Sequence, residues 1–145
     1  MEVQFNHLFT HFVFTTKSRM PYISEVHRER IEKYITGIVN KRKCKTYAIY
    51  ANPEHIHLLV SRDPAMSEKE LADIIAEASE KFINYNNLTN DKFLWQHSCS
   101  AFSISKKHVD SVCKYIYNQP KHHKTQTAEE EYNEFLNFYQ EKIRE

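Results

Sequence analysis

The sequence predicts an α+β domain: an antiparallel sheet with helices packed on one face. Three observations carry this. Short runs rich in aromatic and β-branched residues, read as strands, are separated by longer stretches with helical apolar spacing, in the order β-α-β-β-α-β. The second and third strands flank a tight turn, Asn52-Pro53-Glu54, and so form a hairpin. The chain has 145 residues, 41% of them apolar and 13% aromatic, enough for one buried core. That order is the ferredoxin-like βαββαβ arrangement, with helices on one face and the other face free to carry a site. The expectation is one domain over 1–145. Its core spans about 5–105, followed by a tyrosine-bearing helix over about 106–119 and a last helix over about 128–143.

Leu8-Phe9-Thr10-His11-Phe12-Val13-Phe14-Thr15 is apolar on both alternating faces, which predicts a central strand. The basic turn Lys17-Ser18-Arg19-Met20-Pro21 ends it. Ser24 reads as the N-cap of a first helix, with Val26, Ile31, Tyr34, Ile35, Ile38 and Val39 as its apolar stripe. Lys41-Arg42-Lys43 closes that helix and complements its negative end. Thr46–Ala51 is the second strand. The third follows the turn as His55-Ile56-His57-Leu58-Leu59-Val60. Period two sends Ile56, Leu58 and Val60 toward the helices, and His55 and His57 to the opposite face.

Ser67 with Glu70 is a capping box for a second helix, with Leu71, Ile74, Ile75, Ala78, Phe82 and Ile83 as its stripe. Asn84-Tyr85-Asn86-Asn87 stops it. Phe93-Leu94-Trp95-Gln96 leads into a short fourth strand, Ala101–Ser105. Ser105 then caps the third helix, with Val109, Val112, Cys113 and Ile116 apolar. The last helix carries Tyr132, Phe135, Leu136 and Tyr139.

Composition excludes several classes. Gly37 is the single glycine, so a glycine-rich phosphate loop is absent. Cys44, Cys99 and Cys113 are odd in number and widely spaced, which argues against a disulfide framework or a thiolate zinc site. No run reaches the roughly 20 apolar residues of a membrane span, and the first residues lack the pattern of a leader. A cytoplasmic protein without membrane contact is expected. Net charge is only +1, but it is unevenly spread. Residues 1–50 carry nine Lys/Arg against four Asp/Glu, and residues 51–100 carry four against eight. A polarised surface of this kind suits a phosphate backbone, with Lys17, Arg19, Lys106, Lys107 and Lys121 as candidate nucleic-acid contacts.

The chemistry is concentrated in two places. His55 and His57 lie side by side on one strand face, half of a metal site. His11, in the middle of the first strand, is a candidate second-shell partner. Tyr115 and Gln119 are four apart on the third helix and share a face, whereas Tyr117 is turned about 200° from Tyr115. A glutamine carbonyl is a hard ligand, and a tyrosine hydroxyl can attack phosphorus when a metal offsets the charge. Two imidazoles alone equally suit Zn²⁺, so these residues by themselves leave the metal open.

Four blocks in order extend this reading: Thr16-Lys17-Ser18-Arg19-Met20-Pro21, Asn52–Val60, Phe93-Leu94-Trp95-Gln96 with Ala101-Phe102-Ser103-Ile104-Ser105, and Tyr115–His123. With these the chain resembles, over nearly its whole length, the single-tyrosine HUH transposases of the insertion-sequence 200/605 type, including the REP-associated tyrosine transposases. The resemblance implies that His55, His57 and Gln119 hold Mg²⁺ or Mn²⁺ and that Tyr115 is the catalytic nucleophile. It implies cleavage of single-stranded or hairpin DNA through a 5′-phosphotyrosine link, without ATP. It also implies a homodimer in which the tyrosine helix of one protomer can serve the other's histidines.

The chain departs from the family pattern at Ile75-Ala76-Glu77-Ala78-Ser79-Glu80-Lys81, where acidic residues replace basic or small ones. It departs again at His97-Ser98-Cys99-Ser100, where relatives carry glycines. These changes predict weaker, salt-sensitive nonspecific DNA binding. They also motivate an alternative: a catalytically restrained, hairpin-binding derivative of such a transposase.

Overall fold

The computed structural model describes residues 1–120 together with Glu130, Asn133, Glu134 and Asn137. Strand β1 is Phe9–Thr16, helix α1 Glu25–Lys41, β2 Lys45–Ala51, β3 His55–Ser61, α2 Glu68–Tyr85, β4 Trp95–Ile104 and α3 Val109–Tyr117. The four strands form one antiparallel sheet in the order β2-β3-β1-β4. This is the α+β, ferredoxin-like arrangement expected, with β1 central. Of the last helix expected from the sequence, the four described positions are helical, and the remainder lies outside the described residues.

Alternation along the strands divides the interior into two layers. Phe12 and Phe14 of β1 and Ile56, Leu58 and Val60 of β3 face α1 and α2. There they meet Ile31, Ile35, Leu71, Ile75 and Ile83. Tyr34 stacks flat on Phe82, ring centroids 3.8 Å apart, and so joins the two helices. Removing this apolar surface from water is the main stabilising term, at roughly 25 cal/mol per Å².

The other face is not free. Helix α3 lies across it, and Val109, Val112, Tyr115 and Ile116 pack on Phe9, Val13, Ala48 and Leu59. The expectation of an open sheet face is corrected accordingly. Leu59 and Val13 are apolar on the face assigned to the histidines, and apolar surface there needs a cover. An amphipathic α3 is the element next in the chain able to supply one.

Smaller differences have local causes. The fourth strand runs ten residues, Trp95–Ile104, rather than starting at Ala101, because β1 continues the ladder past a register shift at Phe14/Thr16. His97, Ser98 and Cys99 carry no apolar alternation because, among the described residues, β4 pairs with β1 alone and its middle is exposed. Val26 is 85% exposed and does not belong to the α1 stripe; it lies in the first turn, ahead of the sheet contact. Ser24 is the N-cap of α1 by position but makes no side-chain cap bond. Ser67 does cap α2, its Oγ accepting from the Glu70 N–H at 3.0 Å. The helix expected from 106 begins as a 3-10 turn, Lys106–His108, becomes α-helical at Val109 and is C-capped at Asn118.

Candidate active site

Strand β3 leaves the Asn52-Pro53-Glu54 turn directly into His55, so the two histidines stand at the end of the strand nearest that turn. Their rings are 4.9 Å apart and nearly perpendicular. Each has a partner on its Nδ1. The Nδ1 of His55 is 3.0 Å from Glu54 Oε1. A carboxylate only accepts, so His55 carries its proton on Nδ1 and presents the Nε2 lone pair. The Nδ1 of His57 is 3.0 Å from Nε2 of His11. In the β1–β3 register Val13 stands opposite His57, which places His11 diagonally across on the same face. His11 is wholly buried, and burial first, then the charge of His57, holds its pKa well below the ordinary imidazole value. With His57 in the Nδ1–H tautomer, His11 Nε2 accepts the hydrogen bond, and Nε2 of His57 is the candidate ligating atom.

Helix α3 brings the other two candidates. Its apolar residues fix its rotation, so Tyr115 points inward while Tyr117 is 57% exposed. The Tyr115 ring stands perpendicular to His57, centroids 5.7 Å apart. One turn later Gln119 is fully buried, and its Nε2 donates to the Tyr115 carbonyl at 3.4 Å.

Asn52, by its sequence context only a turn residue, is 1% exposed and links the two halves. Its Nδ2 donates to Gln119 Oε1 at 3.2 Å and lies 3.2 Å from His55 Nε2. Turn chemistry accounts for an asparagine before Pro53, so nothing local in the sequence marks its second role. The partner that reveals it is 67 residues away.

The candidate donor set is thus two imidazole nitrogens and one amide oxygen. Among the described residues no group of three or more His, Cys, Asp or Glu side chains is placed to hold a metal ion. The residues nonetheless fit a divalent cation. His55 Nε2 and Gln119 Oε1, both acceptors, converge on one electropositive group, the Asn52 amide NH₂. A mixed N,N,O set with further positions left to phosphate or water suits such an ion.

The candidate DNA contacts are divided. Lys17 and Arg19 occupy an exposed 3-10 turn held against the Asn52–Glu54 turn, through Thr16 N–H to Glu54 O at 2.9 Å and Ile23 N–H to Pro53 O at 3.0 Å. Ser18 and Arg19 there adopt left-handed backbone, φ 56° and 53°, a conformation disfavoured for non-glycine residues. Lys106 and Lys107 are exposed about two helical turns before Tyr115. Lys121 lies outside the described residues. No described helix is long and apolar enough to cross a membrane.

Residues 4–119 match the family described as transposase IS200 like. That span runs from ahead of β1 to Gln119 and takes in the candidate residues His55, His57, Tyr115 and Gln119. Among solved structures, the chain is similar to a candidate transposase from Deinococcus radiodurans R1. Identity is 18%, the TM-score is 0.65, and 82% of this chain and 95% of that one are covered. It is also similar to a REP-associated tyrosine transposase solved bound to a REP hairpin. Here identity is 18%, the TM-score is 0.59, and 85% and 74% of the two chains are covered. No curated protein matches. At that identity the two structures speak for the fold, while the match over residues 4–119 speaks for the lineage: the chain belongs to the IS200-like transposase family.

Proposed function

We propose that the protein nicks single-stranded or hairpin-bearing DNA by attack of the Tyr115 hydroxyl on a phosphodiester, and later rejoins the strands. The observation that carries this is the placement of Tyr115 against His57, beside the His55–Asn52–Gln119 cluster. The hairpin substrate is taken from the hairpin-bound neighbour.

Tyr115 Oη forms the new bond to phosphorus, the 3′-oxygen leaves, and the phenolic proton ends on water or on that oxygen. The product is a 5′-phosphotyrosine and a free 3′-hydroxyl. Because one phosphoester replaces another, rejoining needs no ATP. An unperturbed tyrosine has a pKa of about 10 and is a poor nucleophile at neutral pH. A divalent ion, Mg²⁺ or Mn²⁺, held by His55, His57 and Gln119 would supply the charge neutralisation that such an attack requires. Glu54 and His11 keep the two rings in the tautomer that leaves each Nε2 available. Lys17 and Arg19, on the turn beside the site, hold the phosphate backbone, with Lys106, Lys107 and Lys121 as further contacts. The resemblance also supports a homodimer.

The test is incubation of the protein with end-labelled single-stranded hairpin DNA and Mg²⁺ or Mn²⁺. A covalent protein–DNA adduct is expected, lost in Tyr115→Phe. An adduct that persists in Tyr115→Phe overturns the assignment.

One observation favours the second reading, a hairpin binder with restrained catalysis: Tyr115, on the sheet-facing side of α3, is only 7% exposed. Tight hairpin binding with no adduct under any divalent ion would select it.

A further inference from the structure

Asn52 occupies the position a metal ion would be expected to claim. One amide nitrogen lies 3.2 Å from His55 Nε2 and 3.2 Å from Gln119 Oε1, and the residue is 1% exposed. Its NH₂ carries partial positive charge and only donates, so it satisfies both ligand atoms as a weak substitute for a cation. When a real cation arrives, the same NH₂ becomes repulsive toward it and loses both acceptors, leaving a buried donor unmade. The side chain has one inexpensive remedy. A half-turn about its last torsion exchanges NH₂ for Oδ1 at nearly unchanged shape, because that torsion is broad and roughly two-fold. Repulsion then becomes attraction, since an amide oxygen is a ligand that Mg²⁺ and Mn²⁺ accept.

We infer that Asn52 is a further metal ligand of this site. Its NH₂ holds His55 and Gln119 in place without metal, and its Oδ1 turns toward the ion in the loaded state. This rests on the reading that His55, His57 and Gln119 hold a divalent ion. A second hard oxygen, beside Gln119 Oε1, would bias the site toward Mg²⁺ or Mn²⁺ over Zn²⁺, which two imidazoles alone suit equally.

The experiment titrates the full chain, without DNA, with Mn²⁺ alone, reading free Mn²⁺ by electron paramagnetic resonance. Asn52→Ala is expected to weaken binding at least roughly tenfold. Asn52→Leu, which matches asparagine in branching shape though it is bulkier, is expected to do the same. Asn52→Asp, which keeps the oxygen and adds charge, is expected to bind more tightly than wild type. Unchanged or tighter binding in the Ala and Leu variants overturns the inference, because the amide is then only a structural group or a competitor. Should those variants fail to fold, the crystal structure of the Mn²⁺-loaded wild-type chain decides, with Oδ1 among the ion's ligands in support and Asn52 still bonded to Gln119 against. His57→Ala separates the two levels of the argument. If it abolishes Mn²⁺ binding while Asn52→Leu leaves it intact, only the Asn52 inference fails. If it changes nothing, the metal reading fails with it.

Discussion

His11 shows how a single side chain joins stability to chemistry. It is wholly buried in the middle of β1 and 3.0 Å from His57, and its pKa lies well below the ordinary value of 6.5, through burial first and the neighbouring imidazole second. In the unfolded chain the same imidazole takes up a proton near that value. Below it the unfolded state binds the extra proton and the folded state does not, so stability falls as pH drops. Urea unfolding of the metal-free protein between about pH 7.5 and 5.5 is therefore expected to show a steeper loss in wild type than in His11→Asn. Equal slopes would show that His11 is not held neutral. Of the residues around this centre, the paired histidines were legible from H-x-H and period two. Asn52 was not, because its partners meet only when β3 and α3 are assembled.

At the scale of elements, α2 shows what the Ile75–Lys81 run does in this chain. Within Ile75–Lys81, Ser79 is fully buried and its Oγ accepts the indole N–H of Trp95 at 2.9 Å while donating to the Ile75 carbonyl. The next residue, Glu80, accepts the Trp95 backbone N–H at 3.0 Å. Together they fasten the start of β4 to α2. Ser79→Ala leaves a buried indole donor unmade and is expected to cost about 1–3 kcal/mol, read as a lower urea midpoint with unchanged denaturant slope. Ser79→Thr, which keeps the hydroxyl, should recover part of that loss. Strand β4 is longer than the sequence predicts, because its exposed middle shows no apolar alternation and only its pairing with β1 extends it.

For the whole molecule, the position of α3 matters most. The resemblance implies a homodimer in which the tyrosine helix of one protomer can serve the other's histidines. Here α3 finds its surface on its own sheet, and Tyr115 stands beside its own His57. On that geometry, mixing Tyr115→Phe protein with His57→Ala protein is expected to restore no covalent adduct with DNA. Restored adduct would mean that the two groups come from different protomers. The basic residues follow the same logic. Charge counts found an excess over 1–50, but only the fold sets Lys17 and Arg19 beside the turn that carries Asn52 and Glu54.

The sequence by itself determined the strand and helix order, the central place of β1, the face of His55 and His57, and the shared face of Tyr115 and Gln119. All of these follow from periodicity, capping and turn chemistry acting over a few residues. Tertiary structure alone decided that α3 covers the sheet, that His11 supports His57, and that Asn52 bridges His55 and Gln119. Those contacts join residues 46 and 67 positions apart. They arise because apolar faces must be buried and buried polar groups must find partners, a demand of the assembled chain that no local spacing records.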